Sequence, residues 1–146
     1  MQIHGEFWVD ANPARVWGIL MDPETICTLA ASCEEARQLD ETRYEGKVRV
    51  KLGFMQVRAR VAGEVLEKNE PASMAIQIEG DTQGLLGRFR GLAHLDMSEV
   101  EGRTRGRYTF DMQILGRLDS IGRPFLQMTA QHVATSFAAK MSRHLR

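Results

Sequence analysis

The chain is poor in cysteine and tyrosine, has no net charge and contains no long apolar run. Two cysteines in 146 residues, Cys27 and Cys33, are too few for a disulfide scaffold and have no second pair with which to build a zinc site. Two reduced thiols are expected, with a bridge or a redox role as the alternatives. Nineteen Lys plus Arg balance nineteen Asp plus Glu, so no long-range field gathers nucleic acid or anionic lipid. The apolar runs fall well short of the roughly 18 residues that a spanning helix needs, and Met1 to Gly5 lacks a basic stretch followed by an apolar one. A cytoplasmic protein without a transmembrane segment is the expectation. The four histidines, His4, His94, His132 and His144, share no metal-ligand spacing, so no metal and no cofactor are expected.

The chain is 43% hydrophobic and 26% charged, which fits one globular domain over residues 1–146. Residues 2–9 carry bulky strand formers. Asn12-Pro13 then reads as a cap followed by proline at the first helical position, which predicts a short helix over about 13–20. Asp22-Pro23-Glu24 repeats that signal and starts a second helix where the first stops.

From Glu34 to Leu115 the period is two. Tyr44, Gly46, Val48, Val50 and Leu52 share one face against Arg43, Glu45, Lys47, Arg49 and Lys51 on the other. Five such runs, broken at Gly53, Asn69-Glu70-Pro71, the glycine-rich stretch and Glu101-Gly102, join a short strand at about 34–39 to give six strands in an antiparallel meander. From Gly116 the period returns to 3.6, with Leu126, Ala130, Val133, Phe137 and Met141 in steps of three and four. Pro124 after Gly122 predicts a break between 120 and 124, then helix to about 144.

The resulting fold is α+β: a seven-stranded curved antiparallel sheet around a long C-terminal helix, with two short helices after the first strand. Gly46, Ala59, Gly63, Gly80, Gly91 and Ala93 fall on the inward face, where a solid core calls for bulk. They predict a cavity between sheet and long helix, or else bends and bulges in a curved sheet.

This arrangement resembles the helix-grip fold of START domains and the birch-pollen allergen type (the START/Bet v 1-like, or SRPBCC, superfamily). Val16-Trp17-x-x-Leu20-x-Asp22-Pro23-Glu24 continuing to Cys33-Glu34, with Gly80-x-x-x-Gly84-x-x-Gly87-x-Phe89-x-Gly91, is similar to the G-subunit family of carbon monoxide dehydrogenase. That family has an Ile-Pro-Gly-Cys type turn; this chain keeps Cys33 and has Ala30-Ala31-Ser32 before it. The resemblance implies an accessory protein of a molybdenum hydroxylase, concerned with membrane recruitment or hydrophobic ligands. With His144-Leu145-Arg146 closing the sequence, membrane contact is expected to be peripheral.

The glycine-rich stretch is no phosphate loop, because Arg88-Phe89 follows it and a strand is expected there. Gly84 and Gly87 are read as a loop at the cavity mouth. Arginines 88, 90, 103, 105 and 107 are diluted by Asp96, Glu99, Glu101 and Asp111, which leaves a protein partner open but not nucleic acid. The serines lack a nucleophile context.

The expected function is therefore non-enzymatic binding of a small hydrophobic ligand, quinone- or lipid-like. Its lining is expected from Trp17, Phe89, Leu95, Met97, Tyr108, Phe110, Met112, Phe125 and Met128, with Tyr108 or His132 orienting the ligand. Two alternatives stand beside it: a cyclase or hydrolase of the same fold using Tyr108, His132 or an inward carboxylate, and a docking protein with a solid interior.

Overall fold

The computed structural model describes residues 1–52, 54–82 and 87–146. Strand β1 (Gln2–Val9) is followed by α1 (Pro13–Leu20), α2 (Pro23–Leu29), β2 (Cys33–Gln38), β3 (Arg43–Leu52), β4 (Met55–Asn69), β5 (Ser73–Asp81), β6 (Arg88–Val100), β7 (Arg103–Leu115), a 3₁₀ turn (Arg117–Ile121) and α3 (Arg123–His144). The strands form one antiparallel sheet in the order β1-β7-β6-β5-β4-β3-β2. The expected fold is the observed one.

Local chemistry explains the element ends. Asn12 Oδ1 accepts from the Arg15 N–H at 3.1 Å, and Pro13 opens α1 where its missing N–H leaves nothing unpaired. Asp22 does the same for α2, accepting from the Glu24 N–H at 3.2 Å and from Thr25 Oγ1 at 2.7 Å. Glu101 (φ 51°) and Gly102 (φ 80°) both take the left-handed conformation that a two-residue hairpin between β6 and β7 requires. Gly122 (φ 90°) separates the 3₁₀ turn from α3, so the break expected between 120 and 124 lies there.

The sheet curls far enough for α3 to pack against β1 on one flank and to touch β3, near the opposite edge, on the other. Apolar packing gathers at two ends. At one, Val9, Val16, Trp17, Ile19, Met97 and Met141 form the main cluster. At the other, Val57 packs with Val50, Met55, Phe89, Ile114, Ile121 and Leu126. α3 also covers the free edge of β1 through side chains. Gln127 Oε1 accepts from the His4 N–H at 3.0 Å while its Nε2 donates to the His4 carbonyl. Gln131 Nε2 donates to the Glu6 carbonyl at 2.9 Å, and Ser142 Oγ accepts from the Asp10 N–H at 3.0 Å. These bonds satisfy edge groups that would otherwise need water.

Two expectations are corrected. Cys27 and Cys33 are not reduced thiols but a disulfide. The last turn of α2 runs through a tight turn, closed by the Cys33 N–H on the Ala30 carbonyl at 3.0 Å, and this brings the two Cα atoms to 5.0 Å, within bridging range. The thiol reading came from the cysteine count, which carries no information on this geometry.

The inward glycines, secondly, do not leave empty volume. A Cβ on Gly80 would lie 2.2 Å from the ring of Phe89, and one on Gly91 2.2 Å from the Asp111 carbonyl oxygen. One on Gly46 would lie 2.5 Å from the Glu35 carbonyl oxygen. These positions are bare because a ring or a neighbouring backbone already occupies the space, which is the close-approach use of glycine in a strand.

Candidate functional site

Between the two packed clusters, several inward apolar side chains are only half-buried, beside the buried Ile3, Ala59, Val65 and Met112. Val61, Ile76, Ile78, Ala93, Phe110 and Val133 all belong to this middle zone. The chain exposes 8766 Å², against roughly 7,500 Å² expected for a compact fold of this mass. A solid core would hide these residues, and their exposure marks the inner face under α3 as the candidate ligand space.

The expected lining residues divide into three groups. Trp17 (3% exposed), Met97 (6%) and Met112 (7%) are buried. Trp17 and Met97 belong to the main cluster and Leu95 packs at its border, so these three lie in the packed end of the molecule. Tyr108, Phe110 and Phe89 are half-buried and sit farther along, with Phe89 and Phe110 edge to face at 6.4 Å between ring centroids. Phe125 (37% exposed), Met128 (70%) and His132 are exposed.

The last three are corrected as lining residues. The stripe that faces the sheet is Leu126, Ala130, Val133, Phe137 and Met141, and at 100° per residue positions 125, 128 and 132 fall on the opposite side of the helix. Of the two expected loop glycines, Gly84 lies outside the described residues. Gly87 (φ 100°) is held where Thr82 Oγ1 donates to its carbonyl at 2.6 Å, and a Cβ there would strike the Leu115 carbonyl oxygen at 1.9 Å. Any replacement at Gly87 therefore strains the backbone, whatever the loop does.

The polar group that sequence reasoning missed is Gln131. Its Oε1 accepts from Tyr108 Oη at 3.2 Å, and its Nε2 donates to the Glu6 carbonyl and to Thr135 Oγ1, the latter at 3.0 Å. A Cβ on Gly5 would lie 2.2 Å from Gln131 Oε1 and 2.4 Å from Tyr108 Oη, so bare backbone admits the pair. Burial pushes the Tyr108 phenol above its ordinary pKa and keeps it neutral. The signal was present as Gln127, Gln131, Thr135, Ala138 and Ser142, a polar and small stripe at helical spacing beside the apolar one.

Two open grooves are present, and Gln131 and Thr135 line the second of them. One of about 780 Å³ runs over the outer face of the sheet, between alternating charges that include Glu35, Arg37, Lys47, Arg60, Glu79 and Arg88. It is a saddle of the twisted sheet, and its charged rim suits water better than an apolar ligand. The other, of about 560 Å³, lies between β1 and the C-terminal half of α3 beside Trp8, whose ring carries the guanidiniums of Arg103 at 5.1 Å and Arg105 at 5.8 Å. Among the described residues no group of three His, Cys, Asp or Glu is placed to hold a metal ion, and no helix is long and apolar enough to cross a membrane.

The fold is shared with solved structures of low sequence identity. A conserved protein from Geobacillus kaustophilus superposes with a TM-score of 0.86 at 18% identity, covering 99% of this chain and 95% of the other. A START superfamily protein from Mycobacterium smegmatis gives 0.75 at 11% identity, covering 98% and 95%. The Zhui aromatase/cyclase from Streptomyces sp. R1128 gives 0.68 at 14% identity, covering 100% and 96%. At these identities the likeness is one of fold alone. No curated protein matches the chain in sequence. The family model for the carbon monoxide dehydrogenase G-subunit (CoxG) matches residues 5–146, and together with the curled sheet, the gripped helix and the Val16-Trp17 and Asp22-Pro23 signature, it establishes that the chain belongs to the CoxG family.

Proposed function

We propose that this protein binds a small apolar molecule, quinone- or lipid-like, at the inner face under α3, and does so as a non-enzymatic accessory of a molybdenum hydroxylase such as carbon monoxide dehydrogenase. The partner comes from family membership. The ligand space comes from one observation, the half-buried apolar side chains that separate two packed clusters. At about 25 cal/mol per Å², a ligand that covers a further 200 Å² of such surface gains roughly 5 kcal/mol before the cost of immobilisation.

The end away from Trp17 supports an opening toward lipid. Phe54, Leu115 and Phe125 are exposed, and each is the chain neighbour of a residue in the Val57 cluster. Exposed apolar side chains next in sequence to that cluster suit peripheral contact with a membrane from which such a ligand would come.

Ala93 is half-buried between Ile76 and Phe110, its register partners on β5 and β7, and belongs to neither packed cluster, so Ala93→Phe adds bulk to the middle of the proposed ligand space. Nile red is expected to bind the wild-type protein saturably at one site, and Ala93→Phe to weaken that binding roughly tenfold while thermal stability is kept. Native mass spectrometry of the purified protein adds a direct check for a retained small molecule. Non-saturable dye partitioning that is equal in both proteins would exclude the inner face under α3 as a ligand site.

A further inference from the structure

The polar pair that joins β7 to α3 over Gly5 has a fixed hydrogen-bond direction. The Glu6 carbonyl can only accept, so the Gln131 group facing it at 2.9 Å is the amide nitrogen. Thr135 Oγ1, at 3.0 Å, takes the second proton of that nitrogen. Gln131 Oε1 must then face Tyr108. An amide oxygen accepts and never donates, so the 3.2 Å contact requires the phenol to give up its single proton to Gln131. What remains on Tyr108 Oη is acceptor capacity alone.

We infer that Tyr108 offers a bound ligand a hydrogen-bond acceptor, and that the site takes an apolar molecule bearing an O–H or N–H donor, a phenol or hydroquinol, in preference to the matching ether or ketone. The inference rests on the proposed ligand space and sharpens its chemical class. A donor ligand adds a bond to the Tyr108 oxygen and disturbs nothing. A carbonyl ligand draws the phenol proton away and leaves Gln131 Oε1 unpaired, so the exchange yields no net bond; one hydrogen bond at a partly buried site corresponds to roughly tenfold in affinity. For a quinone and its hydroquinone, the reduced member is the one retained.

The test uses α-naphthol, its methyl ether and α-tetralone, titrated calorimetrically into the full chain. Wild-type protein is expected to hold the naphthol about tenfold tighter than the other two. Tyr108→Phe keeps the ring and is expected to bring the naphthol down to the level of the ether, with ether affinity unchanged. Gln131→Leu frees the phenol proton and is expected to raise tetralone relative to naphthol. Because Gln131 also covers β1, circular dichroism accompanies that variant, and Tyr108→Phe alone decides the matter should it unfold. Equal wild-type affinities for all three probes, or a naphthol preference that survives Tyr108→Phe, overturns the inference while leaving the ligand space standing. Failure of every probe to bind removes the ligand space and the inference together.

Discussion

Trp17 shows how much stability rests on single side chains. It is 3% exposed and packs where α1, β1, β6 and α3 meet, through Val9, Met97 and Met141. Trp17→Ala leaves a cavity that four elements would have to move to fill, and is expected to cost about 3–5 kcal/mol, measured by denaturant unfolding. Its place in a helical apolar face made it legible from sequence, as did the alternation that put Phe89, Leu95, Met97, Tyr108, Phe110 and Met112 inward. On α3 the reading was less sharp. Several apolar residues stand on the solvent side near its start, and the stripe could be resolved from Phe125 and Met128 only once the helix start at Arg123 was known. Gln131 was passed over because its partner is a backbone carbonyl on a strand 125 residues away, a contact that no local pattern records.

At the scale of elements, α2 is a short helix with no fully buried residue, joined to β2 by the disulfide. Closing so short a loop removes unfolded-state freedom amounting to about 2 kcal/mol. Addition of a dithiol reductant is expected to lower the melting temperature by roughly 5–10 °C. A Cys27→Ser/Cys33→Ser double variant is expected to melt at the lower temperature with or without reductant. A wild-type melting curve that reductant leaves unmoved would show that the bridge contributes nothing to α2. Element order, the broken helix junctions and the β6–β7 hairpin were all readable, because caps, prolines and left-handed turns act over three or four residues. The inward glycines misled, because sequence reports the absence of a side chain and says nothing about which ring or carbonyl has moved in.

For the whole molecule, zero net charge conceals a set of carboxylates tied to cations and donors. Arg105 holds Glu6 below the ordinary carboxylate range, and Arg103 together with Arg146 does so for Asp10. Thr25 lowers Asp22, and Asp40 is lowered to about 2 by the Thr42 backbone N–H and the Arg43 side chain. A carboxylate with a depressed folded pKa contributes stability that is present above its unfolded value near 4 and lost as pH falls through the folded one. Burial acts on Tyr108 in the opposite sense, so the stability tied to its neutral form is lost as pH rises past 10.0. The melting temperature is expected to stay level from neutral pH down to about 4, then decline toward pH 2, with a second decline above pH 10. A melting temperature that held constant down to pH 2 would contradict the acid limb.

The side-chain cover on β1 has a consequence for self-association. A bare outer strand is a template on which a second copy can lay its own strand, and a sheet this wide has two such margins. At one margin the amides of Gln127 and Gln131 already occupy the backbone groups at His4 and Glu6. At the other, β2 is only six residues long, irregular between Cys33 and Glu35, and studded with Glu34, Glu35 and Arg37. Growth by strand addition is blocked at both margins by different means, one a fitted helix and the other a short, kinked, charged strand, and the exposed apolar end is left as the surface through which the molecule can be sticky.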